Sequence, residues 1–446
     1  MKAFNSRLLI LTTTLMALGL VSSAANAMPN FARKYAAACS MCHTQVPKLN
    51  RVGYDFRNAG FRMPEDIGVN QEFELADLMA ARIQEQYVYQ DHNDVKAGKD
   101  FTDSQLKFFE ATLYPLSGSW GKNFGSLSEL SMAPGDVFEV ENAYVRGAWG
   151  NPEGWFQVRV GVMHPWEGFG ASDRPMGNVR PLIQKQRNGA QQGNGGETSV
   201  ASGSPFYLWN LDESAIEVGY NFAKSGTSIA GRISNGLVWE PDAPNFVDPA
   251  QGGNLSKSTS YSGHNKMNYQ FFVNQFINDD SAISLYYYNG RMPYAMPGET
   301  PAGNIPLVKF ERLAVYVNYF VLPELNLLGG YAWGKDDVNV ADVAALAAAN
   351  PGLGFYNPTK LGNSGGYFLE ANYFTTHKLG LGFRYDSFDP TDTVGHNSQA
   401  AYTFSANWSI FEGLQLIGDY QHKSTDQSAG GANKDDTVTI RGILIF

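Results

Sequence analysis

The only two cysteines of the 446-residue chain are Cys39 and Cys42, and a histidine follows at once, in the run Cys39-Ser40-Met41-Cys42-His43. Two thiols on one short turn can each add to a vinyl group of the same macrocycle, and the adjacent imidazole then faces the metal at its centre. C-x-x-C-H is therefore the pattern of a covalently attached c-type haem, with Cys39 and Cys42 forming the thioethers and His43 the proximal ligand. The competing chemistry is a C-x-x-C redox pair beside an unrelated histidine. No thioredoxin-like βαβ pattern surrounds the motif, and the chain opens with an export signal, which c-type attachment also requires.

A haem iron takes a second axial ligand or keeps that position open. Met63, in Phe61-Arg62-Met63-Pro64, lies twenty residues beyond His43 and is the candidate distal ligand. A thioether in that position raises the reduction potential. Met28, Met79 and His92 compete for the role, whereas Met41 is too close within the attachment turn. Methionine also fills cores with no metal involved. Pro47, Leu49, Gly53, Phe56, Gly60 and Phe61 can pack around a macrocycle or turn the chain over it, and can equally be ordinary core and loop residues. The other histidines, His92, His164, His264, His377, His396 and His422, are scattered with no metal-ligand spacing and read as surface or turn residues. No Ser-His-Asp or paired-carboxylate pattern stands out.

The elements that position this motif divide the chain in three. Lys2 and Arg7 precede an apolar run from Leu8 to Leu20, and Ala25-Asn26-Ala27 forms a small-residue cleavage site. The run is too short to span a bilayer, so residues 1–27 read as a cleaved secretory signal. Residues 28–72 form a compact unit around the haem motif. From residue 73 to 446 the pattern is period-2 alternation. Phe156, Val158, Val160 and Val162 share one face of a strand and Gln157, Arg159 and Gly161 the other; Leu379, Leu381, Phe383 and Tyr385 alternate in the same way with Gly380, Gly382, Arg384 and Asp386.

Sixteen such segments are legible between residue 77 and the C-terminus, joined alternately by short turns and by long connections at 167–205, 237–266, 291–307 and 336–363. A mainly β chain of this kind is expected to be a transmembrane antiparallel β-barrel of about 16 strands, with an apolar outer face and a polar lumen. Short periplasmic turns and long external loops fit that reading, and both ends of the barrel then lie on the periplasmic side. Strand parity places Glu110, Glu139, Glu141, Arg159, Glu217, Arg232, Glu370, Arg384, Asp386 and Arg441 on the lumen face. Most suit a polar lumen, and a subset could guide a cation toward the haem. Residues 172–204, rich in Gly, Gln, Asn and Ser without an aromatic, read as a mobile external loop, the alternative being a loop folded into the lumen.

Composition narrows the class further. Aromatics are 13% of residues, glycines number 47 and the mean hydropathy of −0.28 is too polar for a helical membrane protein. A formal charge of −10 counts against nucleic acid as a partner. A unit as small as residues 28–72 needs a covalent or cofactor staple, and a wide barrel needs water or a plug in its lumen. The direct tether between the two places the haem unit inside the barrel or at its mouth, on the periplasmic side.

Met28-Pro29-Asn30-Phe31-Ala32-Arg33, the run Cys39 to Thr44, Pro47-x-Leu49, Gly53 and Gly60, followed by a barrel ending in phenylalanine, resemble the fused monohaem cytochrome–porins of iron-oxidising bacteria, the outer-membrane Fe(II) oxidases. The resemblance covers the whole mature chain in architecture, while its specific motifs lie between residues 28 and 60. It implies oxidation of dissolved Fe(II) at the cell surface, one covalent haem c held by Cys39, Cys42 and His43, and electrons passed to a periplasmic cytochrome. The distal ligand does not carry over from any motif. The leading expectation is thus an outer-membrane iron oxidase acting by one-electron transfer. Two alternatives stand beside it: the same conduit run outward to an external acceptor, and a diffusion porin with a structural haem plug.

Overall fold

A computed structural model describes residues 30–46, 48–94, 99–132, 139–163, 175–185, 213–234, 267–293, 307–337, 339–349, 362–376, 378–390, 392, 398–426 and 431–446. Met28, Pro47, His164, His264, His377 and His396 lie outside these residues, as does the side chain of Glu139.

The N-terminal unit is a set of short pieces: α1 (Asn30–Tyr35), a 3-10 turn at Cys39–Met41, the two-stranded pair β1 (His43–Gln45) and β2 (Lys48–Leu49), α2 (Arg51–Asn58), a second 3-10 turn at Pro64–Asp66, and α3 (Leu75–Leu78). The barrel follows as β3 (Ala80–Asp94), β4 (Lys99–Tyr114), β5 (Gly118–Trp120), β6 (Phe124–Met132), β7 (Glu139–Asn151), β8 (Gly154–Met163), β9 (Glu213–Phe222), β10 (Thr227–Ser234) and β11 (Asn268–Phe276). It continues through β12 (Ala282–Pro293), β13 (Leu307–Leu322), β14 (Leu325–Asp337), β15 (Asn363–Thr376), β16 (Leu379–Asp389), β17 (Gln399–Phe411), β18 (Leu414–Asp426) and β19 (Ala432–Ile445). Two helices interrupt the long connections, α4 (Leu182–Lys185) and α5 (Val340–Ala349).

Every neighbouring pair is antiparallel, and the ring closes where β19 meets β3, from Lys434 opposite Asn93 to Ile445 opposite Arg82. β4 also pairs directly with β6 over Ala111–Leu113, so the three residues of β5 form a spur at one rim and sixteen long strands make the wall. These match the sixteen segments read from the alternation. The spur, by contrast, is invisible to it, because three residues are too few to show a period.

The alternation runs inside-out relative to a soluble protein. On β9, Ile216, Val218, Tyr220 and Phe222 are exposed, while Glu213, Ala215, Glu217 and Asn221 are buried. On β11, Tyr269 and Phe271 face out and Asn268, Gln270 and Asn274 face in. Apolar side chains outward and polar ones inward suit a hydrocarbon surround, and closure leaves no unpaired strand edge in it. Trp120, Phe124, Trp149 and Phe156 cluster at the short-turn rim, with ring centroids 5.3 to 6.3 Å apart, as an interfacial aromatic girdle does. No helix among the described residues is long and apolar enough to cross a membrane; the strands are the crossing elements.

Of the two readings for the segment at 172–204, the described part, residues 175–185, follows the inward one: Met176, Leu182 and Ile183 are buried, and Ile183 lies against Gly366 of β15. Backbone amides draw it in. Met176 N–H donates to Glu370 Oε1 (2.8 Å), Asn178 N–H to Asp419 Oδ2 (2.9 Å) and Leu182 N–H to Asp386 Oδ1 (3.1 Å).

Substituting Val218, on the outer face of β9, with Arg is expected to cost about 2–4 kcal/mol of folding stability in lipid. Val218→Ala should cost far less. Denaturant titration of the barrel refolded into vesicles measures both.

Candidate haem site

The attachment turn is held from behind by one asparagine. Asn50 caps α2 by accepting from Gly53 N–H at 3.0 Å, donates from Nδ2 to Met41 O at 3.0 Å, and its backbone N–H donates to Cys42 O at 3.0 Å. Helix and turn approach so closely that a Cβ on Gly53 would fall 2.2 Å from Cys42 O. Gly53 is thus a packing glycine under the C-x-x-C loop. Cys39 and Cys42 are half-buried and not joined to each other. Burial pushes both thiols above their ordinary range, with Glu412 adding to the effect at Cys39 and Cys39 at Cys42. His43 begins β1, opposite Leu49.

This unit closes the short-turn mouth of the barrel. Thr44 Oγ1 donates to Asp280 Oδ1 (3.0 Å) in the β11–β12 turn, and Arg51 N–H donates to Asp279 O (2.8 Å). Gln45 Nε2 donates to Asn407 O (3.0 Å) on β17, and Lys48 Nζ to Asn326 Oδ1 (2.7 Å) on β14. On the opposite side, Arg146 of β7 donates to Arg57 O (2.9 Å), and Trp155 Nε1 of β8 donates to Asn58 O (3.2 Å). Gly60, with φ +80°, ends α2 and lays its carbonyl against β6, where a Cβ on Gly125 would come within 2.1 Å.

Arg62 is the strongest tie. It is wholly buried, and its guanidinium donates to five carbonyls: Val69, Gly121, Lys122, Trp120 and Phe124. Four of these belong to the β5–β6 hairpin. This role is not legible from residue order, because an arginine between Phe61 and Met63 carries no motif; the spur's returning carbonyls create the binding site.

Met63 is half-buried against Phe56, Phe61, Tyr144 and Met163, beside Phe31 and Tyr35. Phe31 stacks on Phe61 with centroids 5.2 Å apart and meets Phe56 edge to face at 5.5 Å. The rival His92 is excluded as a distal ligand. It ends β3, about 40 Å of strand beyond the rim that holds His43, and pairs there with Asp435. Met79 is exposed at the foot of β3. Among the described residues no group of three or more His, Cys, Asp and Glu is placed to hold a metal ion. The donor set at the turn fits covalent haem: two unjoined thiols with an imidazole one residue on, in a unit that also supplies aromatic side chains.

Of the lumen charges read from parity, Arg159, Glu217, Arg232, Glu370, Arg384 and Asp386 are buried and paired, Glu110 and Arg441 are half-buried with partners, and Glu141 is half-buried. Glu217 receives Arg159, Arg232 (2.9 Å) and, at 3.6 Å, Arg146. Arg384 bridges Glu370 (3.3 Å) and Asp386 (2.8 Å), Arg82 meets Glu110 (2.6 Å), and Arg441 donates to Gln86. Their arginine partners make these carboxylates structural pins of the wall rather than open cation ligands. His422, expected at a surface, pairs with Asp436 at 2.9 Å.

Set beside solved structures, the chain is similar to the anion-selective porin of Comamonas acidovorans at a TM-score of 0.50 and 10% identity, covering 82% of this chain and 98% of that one. It is also similar to the outer membrane channel DcaP of Acinetobacter baumannii (TM-score 0.49, 13% identity, 82% and 96% covered) and to OmpF of Salmonella typhi in complex with daunomycin (0.49, 10%, 82% and 97%). The likeness defines a porin-like, closed sixteen-stranded β-barrel. No family model matches the chain, and no curated protein does.

Two outcomes follow. Arg62→Ala removes a buried donor shared by five carbonyls, of which Gly121 O and Lys122 O keep the backbone N–H groups of Gln71 and Gly68, and is expected to loosen the plug: limited proteolysis should cut between residues 30 and 72 at least tenfold faster, with the barrel intact. Asp55 of α2 is pushed up to about 6 by burial, with Arg51 opposing and Asp279 and Glu65 adding to it. Its raised affinity for a proton stabilises the docked unit fully below pH 4, and this is lost as pH rises through about 6. Asp55→Asn should therefore stabilise docking by roughly 1–2 kcal/mol at pH 7 and by nothing at pH 4, read from thermal melts at both values.

Proposed function

We propose that the chain is an outer-membrane electron conduit. Fe(II) outside gives up one electron, which passes through a haem c at Cys39, Cys42 and His43 to a periplasmic cytochrome. The observation that carries this reading is that the C-x-x-C-H turn is built into the plug of a porin-like barrel, with Thr44 and Gln45 bonded to the barrel wall on either side of the lumen. A haem bound there supplies a one-electron Fe(III)/Fe(II) couple. The chain's own residues do the rest. The two thiols fix the cofactor, His43 binds the iron, and Asn50 and Gly53 hold the turn. Arg62 and the wall contacts keep the unit in the mouth of the barrel. No nucleophile or general base is needed to remove one electron from a dissolved cation. Met63 is the proposed distal ligand on the ground of its place among the aromatic residues of the unit.

The second reading, a diffusion porin with a structural haem plug, draws on the names of the similar solved structures. Against it, Glu217, Asp386, Arg384 and Asn407 on the lumen wall are at most 1% exposed, which a wide water-filled channel would not allow. Outward electron flow uses the same geometry and differs only in the sign of the driving force.

Anaerobic Fe(II) added to the detergent-solubilised protein at neutral pH should produce sharp reduced c-type absorption bands, and His43→Ala should abolish them. Reduction by dithionite but not by Fe(II) would favour the outward direction, and absence of covalent haem would end the proposal. In planar bilayers the intact protein should conduct far less than an open porin of the same strand number.

A further inference from the structure

The lumen contains two inward-folded pieces, the N-terminal unit and the segment at 175–185, and they meet on one side chain. Asn407 of β17 is 1% exposed. Its Nδ2 donates to Met176 O at 3.2 Å and to Val46 O at 3.4 Å, which uses both amide hydrogens. Its backbone carbonyl accepts from Gln45 Nε2 at 3.0 Å, and its Oδ1 accepts from Gln415 Nε2 at 2.7 Å. Gln415 Nε2 also donates to Val46 O at 2.6 Å. The two pieces touch at Gly380 as well. A Cβ there would lie 2.6 Å from Gln45 Oε1 and 2.9 Å from Met176 Sδ, so glycine alone lets both side chains share the spot.

We infer that Asn407 is a positioning residue that couples the inner loop to the attachment turn, so that the two open and close as one unit. Val46 and Gln45 immediately follow His43 and Thr44, and the loop is itself pinned beyond Asn407. Asn178 N–H donates to Asp419, against which a Cβ on Gly177 would clash at 1.8 Å from Oδ1. Displacing the loop removes the Met176 carbonyl from Asn407, frees its amide to rotate, and weakens its hold on Val46. Displacing the turn acts on the loop in reverse. Such reciprocity is what coupling between two sites requires, and Asn407 supplies a shared physical element rather than mere proximity. The coupling does not rest on haem being bound; its consequence for an electron path does rest on the proposed function. In that case the loop sets how the haem's environment responds to the outer lumen.

Hydrogen exchange of the full chain in nanodiscs tests this, with amides of residues 43–49 and 175–185 read separately. Asn407→Leu keeps the size and removes both donors, and should speed exchange in both segments about tenfold. Gly177→Val is the decisive variant, because the atoms nearest its new side chain belong to Asp419 and Ser405 of the wall and none to the N-terminal unit: faster exchange at 43–49 as well as at 175–185 is expected. Acceleration confined to 175–185 would overturn the coupling even if Asn407→Leu proved too disruptive to fold. Heat-modifiable migration on gels verifies that the barrel itself is closed in each variant, and chain that never loaded haem gives an equally valid reading.

Discussion

Backbone amides that cross a hydrocarbon layer must all be bonded within the protein, and that constraint shapes everything else in this molecule. Sixteen antiparallel strands meet it only by closing into a ring, from β19 back to β3. Closure turns the apolar half of each strand outward and gathers the polar half inside. The interior therefore inherits buried arginines and carboxylates that must find one another. Glu217 between three arginines and Arg384 between Glu370 and Asp386 are the result. A buried charge left without its partner would cost several kcal/mol, so these networks hold register as well as balance charge.

A ring of this size also encloses more space than its own side chains fill. The chain fills it with pieces that bring both backbone groups and apolar bulk, Tyr54, Leu182 and Ile183 clustering with Phe272, Phe310 and Phe368 of the wall. The N-terminal unit offers carbonyls to Arg146 and Trp155 and donates to the turn at Asp279 and Asp280, while Arg62 reaches four carbonyls of the spur hairpin. The inner segment presents amides to lumen carboxylates. In both cases polar groups of the wall are binding partners. Small size, which would leave residues 30–72 marginal alone, is offset by docking into a rigid wall.

The Cys39-x-x-Cys42-His43 turn acquires a setting that the motif alone does not show. It belongs to a unit bonded to the barrel wall at its short-turn end, with Gly53 packed tightly beneath Cys42.

The sequence by itself determined the strands, their number, their facing and the Cys39-x-x-Cys42-His43 triplet. Each is written locally, as a two-residue period or as adjacent residues whose chemistry needs no distant partner. Parity alone put Glu217 and Arg384 inside, because a strand cannot rotate one residue without turning its whole apolar face from lipid. What only the tertiary structure decided are the contacts between segments far apart in the chain. Arg62 needed the spur at Trp120–Phe124, Asn407 needed Val46 and Met176, and residues 175–185 needed carboxylates on three different strands. His92, one of several competing distal-ligand candidates in the sequence, is set apart from His43 for the same reason: the length of one strand carries it to the far rim. Hydrogen-bond partners across a closed ring leave no periodic trace in sequence, since any polar residue at the right height can serve.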